Sequence, residues 1–303
     1  MSRVPRPALG VAAGLLLDRL LGEPPASLHP VAWFGRVMTR WESVVYADRR
    51  GPGVAYAVSG VALGVFAAAS VRSTALTVAV CVAGRELRRV AAVVESHLLV
   101  SDLEQAKAAL PSLVGRDPST LDASGVSAAV IESLAENTVD AVLGPIVWGL
   151  LLGAPGAAAY RAANTMDAMV GHRGSRYGRF GWASARLDDA AGWVPARIFA
   201  ALVALVRPHS AYRIAVLVRR DARAHPSPNA GVAETAVAAA LRVELGGPLR
   251  YGPIEQDRPR LGDGPRPEPQ DIAATMRLTD DVERAALILL LALWWLGHSR
   301  SAR

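Results

Sequence analysis

The sequence is poor in cysteine and in lysine. Its 303 residues include one cysteine, Cys81, which lies in an apolar run. A single thiol forms neither an internal disulfide nor a multi-thiolate metal site, so the chain lacks the signature of a disulfide-stabilised secreted scaffold. Lys107 is the only lysine, and arginine carries almost all of the formal net charge of +6. Those arginines are scattered rather than arranged in a basic stripe with interleaved aromatics, so we expect no nucleic-acid partner.

The sequence also lacks a P-loop. No GxxxxGK(S/T) occurs, so a bound nucleotide would have to be held without that loop. Charge is scarce as well, because 51% of the residues are hydrophobic and the mean hydropathy is +0.24. This composition is too apolar for an ordinary soluble enzyme and indicates a membrane protein.

The first apolar segment, 8–21, is interrupted by Asp18 and runs into Gly22-Glu23-Pro24-Pro25. A signal peptide would continue to a small-residue cleavage site, so we expect a retained helix that ends at the prolines. Burying Asp18 is costly unless it faces a polar cavity or has a partner. The alternative is a helix at the membrane interface with a solvated Asp18.

The later apolar segments predict several short or broken helices. Residues 54–82 carry one charge, Arg72, and are too many for a single upright span. One interpretation is two spans with a turn near 72–74, the second of which continues toward Val94. The other is one tilted span followed by an amphipathic helix. Residues 141–154 are too few for a full span, and we favour a half-membrane hairpin. The aliphatic run 285–296 should anchor the C-terminus.

We therefore predict an all-α, polytopic integral membrane protein with short or broken helices and a cytoplasmic polar region. The chain is expected to form a single membrane-embedded domain, 1–303, with a polar insertion at roughly 207–283. Within that insertion, the Pro/Gly/charge-rich stretch 246–270 is typical of a loop.

Acidic, amide and arginine side chains concentrate between residues 131 and 197. In a helix, Glu132, Glu136 and Asp140 would share one face, where like charges repel unless a cation or basic side chains offset them. Tyr160, Asn164, Asp167 and Gly171 would also share a face, followed by a Gly/Arg-rich loop with Arg173, Arg176 and Arg179. The stretch indicates a charge-dense site at or in a membrane, although a solvated amphipathic helix and an interfacial loop remain the simpler alternatives.

Several segments together resemble the membrane-bound cobinamide-phosphate synthases of cobalamin biosynthesis. The matching residues are Leu17-Asp18, Gly22-Glu23-Pro24, His29-Pro30-Val31, Glu132 to Asp140, Tyr160 to Asp167, Phe180-Gly181-Trp182, Ala185 to Asp189, Pro195-Ala196-Arg197 and His225 to Gly231. Glu23 replaces the family's usual aspartate and keeps the charge. The regions 54–121 and 249–270 match only in character.

The resemblance implies an ATP-dependent amide ligation. A carboxylate on the corrin ring of adenosylcobyric acid would be joined to aminopropanol or its O-phosphate, which gives adenosylcobinamide or its phosphate. The carboxylate must first be activated, most simply as an acyl phosphate, with Mg²⁺ and arginine neutralising the transferred phosphoryl group and a base near the amine. The expected cofactors are ATP and Mg²⁺, and the expected setting is the cell membrane, multi-pass, with the site facing the cytoplasm. Other expected partners are the lipid bilayer, a second copy of the chain in a homo-oligomer, or other corrin-pathway enzymes.

Candidate site residues follow from the same resemblance. The catalytic candidates are Glu132, Glu136, Asp140, His29 and His225, with the two histidines as bases. The candidates for binding substrate or nucleotide are Asn137, Arg161, Asn164, Arg186, Arg197 and Asn229. The candidates for binding Mg²⁺ are Asp167, Asp188 and Asp189.

Each group also has a structural interpretation. Asp188 and Asp189 would pair with Arg186 and Arg197, the histidines would be turn residues before proline, and the asparagines would cap helices.

Two other classes of function are possible for such a chain. A transporter of a corrinoid or other anionic small molecule would also place acids beside broken helices, but it would usually show more full-length spans and an internal repeat. A non-catalytic membrane scaffold would need exposed apolar patches rather than dense polar clusters.

Overall fold

The computed structural model of the chain describes residues 5–115, 117–172, 174, 176–251 and 254–301. Arg173 of the Gly/Arg-rich loop lies outside these residues. The helices, with one two-stranded sheet, run in chain order as α1 Pro5–Leu21, α2 Pro30–Val45, α3 Arg50–Val71, α4 Thr74–Cys81, α5 Gly84–Leu99, α6 Leu103–Ala109, α7 Ala123–Thr138, α8 Gly144–Leu152, α9 Ala154–Val170, α10 Trp182–Val206, α11 Ala211–Asp221, α12 Ala230–Leu241, β1 Glu244–Tyr251, β2 Ile254–Gly262 and α13 Pro269–Ser301. Single 3₁₀ turns lie at Leu110–Ser112, Pro208–Ser210 and Ala222–Ala224, and a π-helical turn lies at Val139–Leu143.

The helical membrane fold class is confirmed. In the described part of the chain, three helices are long and apolar enough to cross a membrane, by length and composition: Arg50–Val71, Trp182–Val206 and Pro269–Ser299. Each exceeds the roughly 20 residues that a bilayer core requires.

Contacts divide the chain into two compact units. The first unit comprises Met1–Arg85, Asp140–Pro195 and Leu287–Arg303; the second comprises Glu86–Val139 and Ala196–Ala286. The predicted polar insertion, 207–283, lies within the second unit.

In the first unit, α3 packs on α9, α1 on α4, and α8 on α9. A buried cluster of Met38, Tyr56, Met166, Val170 and Phe180 fills the space among α2, α3, α9 and the loop after α9. Large aromatic and methionine side chains bury the most apolar area per residue, so this cluster fixes the position of α9.

Asp18 has a hydrogen-bond partner inside the first unit. It is 1% exposed, and its carboxylate accepts a hydrogen bond from the backbone N–H of Arg85 at 3.2 Å, in the first turn of α5. The first N–H groups of a helix have no partner within it, so a carboxylate placed there acts as a cap. The expectation of a partnered Asp18 is confirmed, and the solvated alternative is wrong.

The turn predicted near residues 72–74 is present. Arg72 ends α3 in the left-handed region, with φ 53°, and the Ser73 hydroxyl accepts a hydrogen bond from Leu76 N–H. The prediction that the second helix continues toward Val94 is wrong, because α4 is eight residues long and α5 starts anew at Gly84.

The short apolar run forms a helical hairpin with the segment that follows. Helix α8 has nine residues, which at 1.5 Å per residue is about half of a bilayer core. Gly153, with φ 70°, ends it, and Pro155 lies in the first turn of α9, which starts at Ala154. The expectation of a non-spanning segment agrees with this length, while its placement in a membrane stays a prediction.

In the second unit, α7 and α12 are buried on all sides. Residues 126–135 of α7 and 230–239 of α12 are all buried. A helix made mainly of alanine, valine, serine and threonine can be surrounded by neighbours because its side chains allow close approach of backbones. Both helices pack against the two-stranded sheet.

The stretch predicted to be a loop is a β-hairpin. Strands β1 and β2 pair antiparallel with a bulge between Leu245 and Gly247. At the bulge, Gly246 has φ +76°, and a Cβ atom there would lie 2.1 Å from the Pro259 carbonyl oxygen. The loop prediction is wrong for the strand residues, because composition does not show that buried side chains hold the backbone of this stretch. Residues 263–268, between β2 and α13, have neither helix nor strand. Glu132 accepts a hydrogen bond from Gly246 N–H at 2.8 Å.

Candidate functional site

The first polar cluster lies in the first unit and is called the Asp140 cluster: Asp140, Tyr160, Arg161, Asn164 and Asp188. The Asn164 amide nitrogen donates to Asp140 Oδ2 at 3.1 Å and to Asp188 Oδ1 at 3.3 Å. Tyr160 donates its hydroxyl to Asp140 Oδ1 at 3.4 Å, and Arg161 donates to Asn164 Oδ1 at 3.2 Å. The predicted shared face of Tyr160 and Asn164 is confirmed, since both reach Asp140.

A tight backbone approach makes room for this cluster. Tyr160 is 2% exposed, and its ring lies against Gly144 at the start of α8, where a Cβ atom would be 2.0 Å from ring Cε1. Burial, followed by the negative charges of Asp140 and Asp188, raises the pKa of Tyr160, so the phenol stays protonated and acts as a donor. An alanine at position 144 would displace this donor.

The π-helical turn places Asp140 in this cluster. Alpha-helical geometry ends at Thr138, and residues 139–143 turn less per residue. The predicted single face therefore holds from Glu132 to Glu136 but does not extend to Asp140. Glu136 is half-buried in the second unit, and the Asn137 side-chain amide donates to the Ser133 carbonyl at 3.0 Å.

His29 is a buried helix cap in the first unit. Its Nδ1 accepts a hydrogen bond from Val31 N–H at 3.1 Å at the start of α2, which places the proton of the neutral ring on Nε2. Nε2 is 3.7 Å from a Glu23 carboxylate oxygen and has no hydrogen-bond partner among the described residues. Burial, followed by the positive charge of Arg161, lowers the pKa of His29. The ring is thus a neutral donor through Nε2, as well as the turn residue that the alternative interpretation expected.

The remaining acids of the first unit point elsewhere. Asp189 is 3.9 Å from the exposed guanidinium of Arg186, as the ion-pair interpretation predicted for that residue. Asp167 folds back over Gly171 at the end of α9, where a Cβ atom on the glycine would lie 1.8 Å from Oδ1. Among the described residues, no group of three or more His, Cys, Asp or Glu side chains could hold a metal ion. Neighbouring positions on a helix diverge by about 100°, so Asp188 and Asp189 face different ways.

The second polar cluster lies in the second unit and is called the His225 cluster: Glu132, His225, Glu234 and Arg258. Glu132 and Glu234 are 2% and 1% exposed, and His225 is 8% exposed. His225 Nε2 is 3.8 Å from Glu234 Oε2 and 3.3 Å from Arg258 Nη1. Helix α12 and strand β2 thus converge on one imidazole.

The contact with Arg258 indicates the tautomer of His225. A guanidinium only donates, so this contact requires a lone pair on Nε2. Nδ1 is 3.1 Å from both the N–H and the carbonyl oxygen of Ser227, and the proton that the Arg258 contact assigns to Nδ1 would be donated to the carbonyl. Burial first, and then the charge of Arg258, lower the pKa of His225, while Ser227 and the charge of Glu132 act in the opposite direction. The imidazole is neutral near pH 7.

The second unit also joins two of the predicted binding residues. Arg197 Nη1 donates to the Asn229 side-chain oxygen at 3.1 Å, and Asn229 is buried at the start of α12. This contact orients the guanidinium of Arg197, which lies directly after Pro195-Ala196 on α10.

Sequence reasoning did not select Tyr160, Glu234 or Arg258 as site residues. One signal for Glu234 was available, because it is the only charge in the apolar helix α12 and a buried charge requires a partner. Arg258 gave no such signal, since it lies among many charges and prolines in a stretch whose strand pairing composition does not reveal.

Comparison with known proteins identifies the family of the chain. The sequence model of the family described as "CobD/Cbib protein" matches residues 11–279. The chain is 43% identical over 299 residues to the "Cobalamin biosynthesis protein CobD" of Mycobacterium tuberculosis (strain CDC 1551 / Oshkosh), which covers 94% of this chain and 95% of the relative. It is 41% identical over 287 residues to the protein of that name from Rhodobacter capsulatus, covering 88% and 90%.

A third relative, the "Cobalamin biosynthesis protein CbiB" of Salmonella choleraesuis (strain SC-B67), is 37% identical over 302 residues and covers 91% of this chain and 94% of its own length. The search of solved structures gave no significant match. The family match spans both polar clusters, and the chain belongs to the CobD/Cbib protein family.

Proposed function

We propose that this chain is an ATP-dependent amide ligase of cobalamin biosynthesis, in the cell membrane with its site facing the cytoplasm. It joins a corrin-ring carboxylate of adenosylcobyric acid to aminopropanol or its O-phosphate. The observation that carries the proposal is the family membership together with the two clusters, one rich in hard oxygen donors and arginine, the other built around a neutral imidazole.

The reaction requires activation because an amine does not displace oxide from a carboxylate. ATP transfers a phosphoryl group to the carboxylate, which releases ADP, or an adenylyl group, which releases pyrophosphate. The amine then attacks the acyl carbon, the C–O bond to phosphate or AMP breaks, and the amine proton passes to a base.

The Asp140 cluster fits a magnesium–phosphate site. Mg²⁺ usually binds through one or two carboxylates together with substrate phosphates, and Asp140 and Asp188 both lie within hydrogen-bond distance of one Asn164 nitrogen. These two carboxylates would hold the ion together with phosphate oxygens of the nucleotide. When bound, it would neutralise charge on the transferred group.

The same unit supplies donors for phosphate oxygens. Arg161 presents a guanidinium oriented by Asn164, and its Nε has no hydrogen-bond partner among the described residues. His29 presents a neutral Nε2–H group, and the positive charge of Arg161 helps to lower its pKa. Fixed donors of this kind stabilise developing negative charge without reorganising. We therefore assign His29 to donation rather than to base catalysis.

His225 is the base in this proposal. Its neutral Nε2 has a lone pair, whereas that of His29 carries a proton, so of these two rings His225 is the one that accepts a proton from the amine. Arg197, oriented by Asn229, is suited to an anionic substrate group such as carboxylate or phosphate.

The test is product formation by membranes that contain the full chain. Adenosylcobyric acid, ATP, Mg²⁺ and either amine are incubated, and products are identified by mass spectrometry, with ADP and AMP measured to identify the activation step. Asp140→Asn at equal abundance should lower the rate about a hundredfold. The matched control, Asp48→Asn, removes an exposed carboxylate of the same unit and should keep the rate.

Absence of product from the wild type with both amines would overturn the ligase proposal. Uptake of a corrinoid into vesicles without ATP turnover would then favour the transporter. Full activity in Asp140→Asn would keep the ligase and remove the Asp140 cluster as its phosphate site.

A further inference from the structure

Two charged side chains of opposite sign flank the imidazole of His225 from different elements. Glu234 projects from α12 and Arg258 from β2, and both lie within 4 Å of Nε2. The third charge that acts on the ring is Glu132 of α7, whose carboxylate binds Gly246 N–H at the bulge of β1. A single ring nitrogen is thus placed between a donor and a carboxylate.

We propose that Arg258 and Glu234 are positioning residues for proton transfer by His225, an inference that rests on the proposed ligase function. Arg258 keeps Nε2 as a lone-pair acceptor in the resting state, so that the ring meets the substrate in its neutral form. Glu234 stabilises the imidazolium that forms once the ring has taken a proton.

The transfer balances as a simple exchange. An N–H bond of the substrate ammonium breaks, an Nε2–H bond forms, and the amine retains the electron pair with which it attacks the acyl group. The Arg258–Nε2 hydrogen bond breaks at this step, because Nε2 has one lone pair. Arg258 must therefore leave Nε2 before the amine can approach the ring, which is 8% exposed.

The hairpin anchors determine where Arg258 lies. The bulge pairs Gly247 with Arg258, and Glu132 fixes the bulge through Gly246 N–H. At the other strand, Asp221 accepts a hydrogen bond from Gly262 N–H at 3.0 Å. A shift of one residue in β2 would turn Arg258 to the opposite face, so the two buried carboxylates maintain the register on which the contact depends.

The two charges should affect the pH profile in opposite directions. A cation beside the ring disfavours imidazolium and a carboxylate favours it. Removing Arg258 therefore raises the pKa of His225 and moves the acid limb of the ligation rate to higher pH. Removing Glu234 lowers that pKa, moves the limb to lower pH and lowers the maximal rate. Each displacement should be about one pH unit, the low end for a charge within 4–6 Å.

The experiment measures ligation rate against pH for membranes containing wild type, Arg258→Met, Glu234→Gln and Arg260→Met. Arg260 lies two residues along the same strand and pairs with Glu244 at the surface, so its variant should leave the limb unchanged. Displacements of opposite sign for Arg258→Met and Glu234→Gln support the proposal. A flat profile, unmoved limbs, or displacements of the same sign overturn it.

Two further outcomes keep the result decisive. If Arg258→Met does not accumulate, Glu234→Gln alone tests the proposal, and Arg258→Lys should retain the wild-type limb because it keeps the charge. Product from the wild type with unmoved limbs would refute this inference alone, whereas absence of product would refute the ligase function itself.

Discussion

We expect glycine at position 144 to be required for the geometry of the Asp140 cluster rather than for the backbone conformation of α8. It begins α8 without a positive φ angle, so its backbone would accept alanine. A Cβ atom there, however, would lie 2.0 and 2.1 Å from two ring carbons of Tyr160. Carbon atoms pack at about 3.5–4.0 Å, so the ring would have to move by roughly 1.5 Å. In a close-packed interior such overpacking costs about 1–3 kcal/mol.

The functional effect follows from the hydroxyl of the same ring. Tyr160 donates to Asp140, and a shift of this size breaks a contact that is already 3.4 Å long. We expect Gly144→Ala to lower the ligation rate about a hundredfold, since a displacement of about 1 Å in an active site has costs of that order. Rates and thermal midpoints of detergent-purified protein are the measurements.

Two variants make the test specific. Gly149→Ala, on the same helix, would meet the side-chain methyls of Val11 and Val78 at 3.1 and 3.2 Å and of Ala157 at 3.5 Å, and should leave the rate near that of the wild type. Gly144→Ala combined with Tyr160→Val should be more stable than the two single effects predict, because the clash is gone, yet remain inactive. Wild-type activity in Gly144→Ala, or additive stabilities in the double variant, would refute the reasoning.

Two further predictions concern stability. Asp18→Ala should lower the free energy of unfolding by about 1–3 kcal/mol, because it leaves the partly buried N–H of Arg85 without its carboxylate. A thermal midpoint unchanged from that of the wild type would contradict the cap. The folded state should also lose stability as the pH falls from about 6.5, the unfolded pKa of histidine, toward the lowered folded pKa of His225. In that window the unfolded chain binds more protons than the folded one, so the loss should be smaller in His225→Gln when midpoints are measured from pH 8 to pH 5.

Local features of the sequence predicted the elements well. Prolines after Gly22 ended α1, the Arg72 turn separated α3 from α4, and the short apolar run 141–154 gave the nine-residue α8. The spacing of hydrophobic residues, the turn residues and the prolines determine local structure within a few positions of the chain. Their effect can therefore be predicted without knowing which elements pack against them. The order and spacing of the polar motifs also identified the family.

Partners distant in the chain could not be read in the same way. The sequence suggested one acidic face for Glu132, Glu136 and Asp140, but the π-helical turn after Thr138 ends that spacing. Glu132 instead holds Gly246, more than a hundred positions away, and the hairpin that it anchors looked like a loop by composition. Such contacts depend on which backbone groups are buried together, a property of the packed chain.

The order and character of the residues along the chain identify a helical membrane protein of this family and mark Asp140, Asn164 and His225 as candidate site residues. How the polar side chains are grouped depends on the tertiary fold. It placed Asp140 with Asn164 and Asp188, turned Asp167 back onto its own helix, and surrounded His225 with charges. The physical reason is that helix formation depends on neighbours along the chain, whereas the charge state and orientation of a buried side chain depend on whatever group the fold brings within about 4 Å.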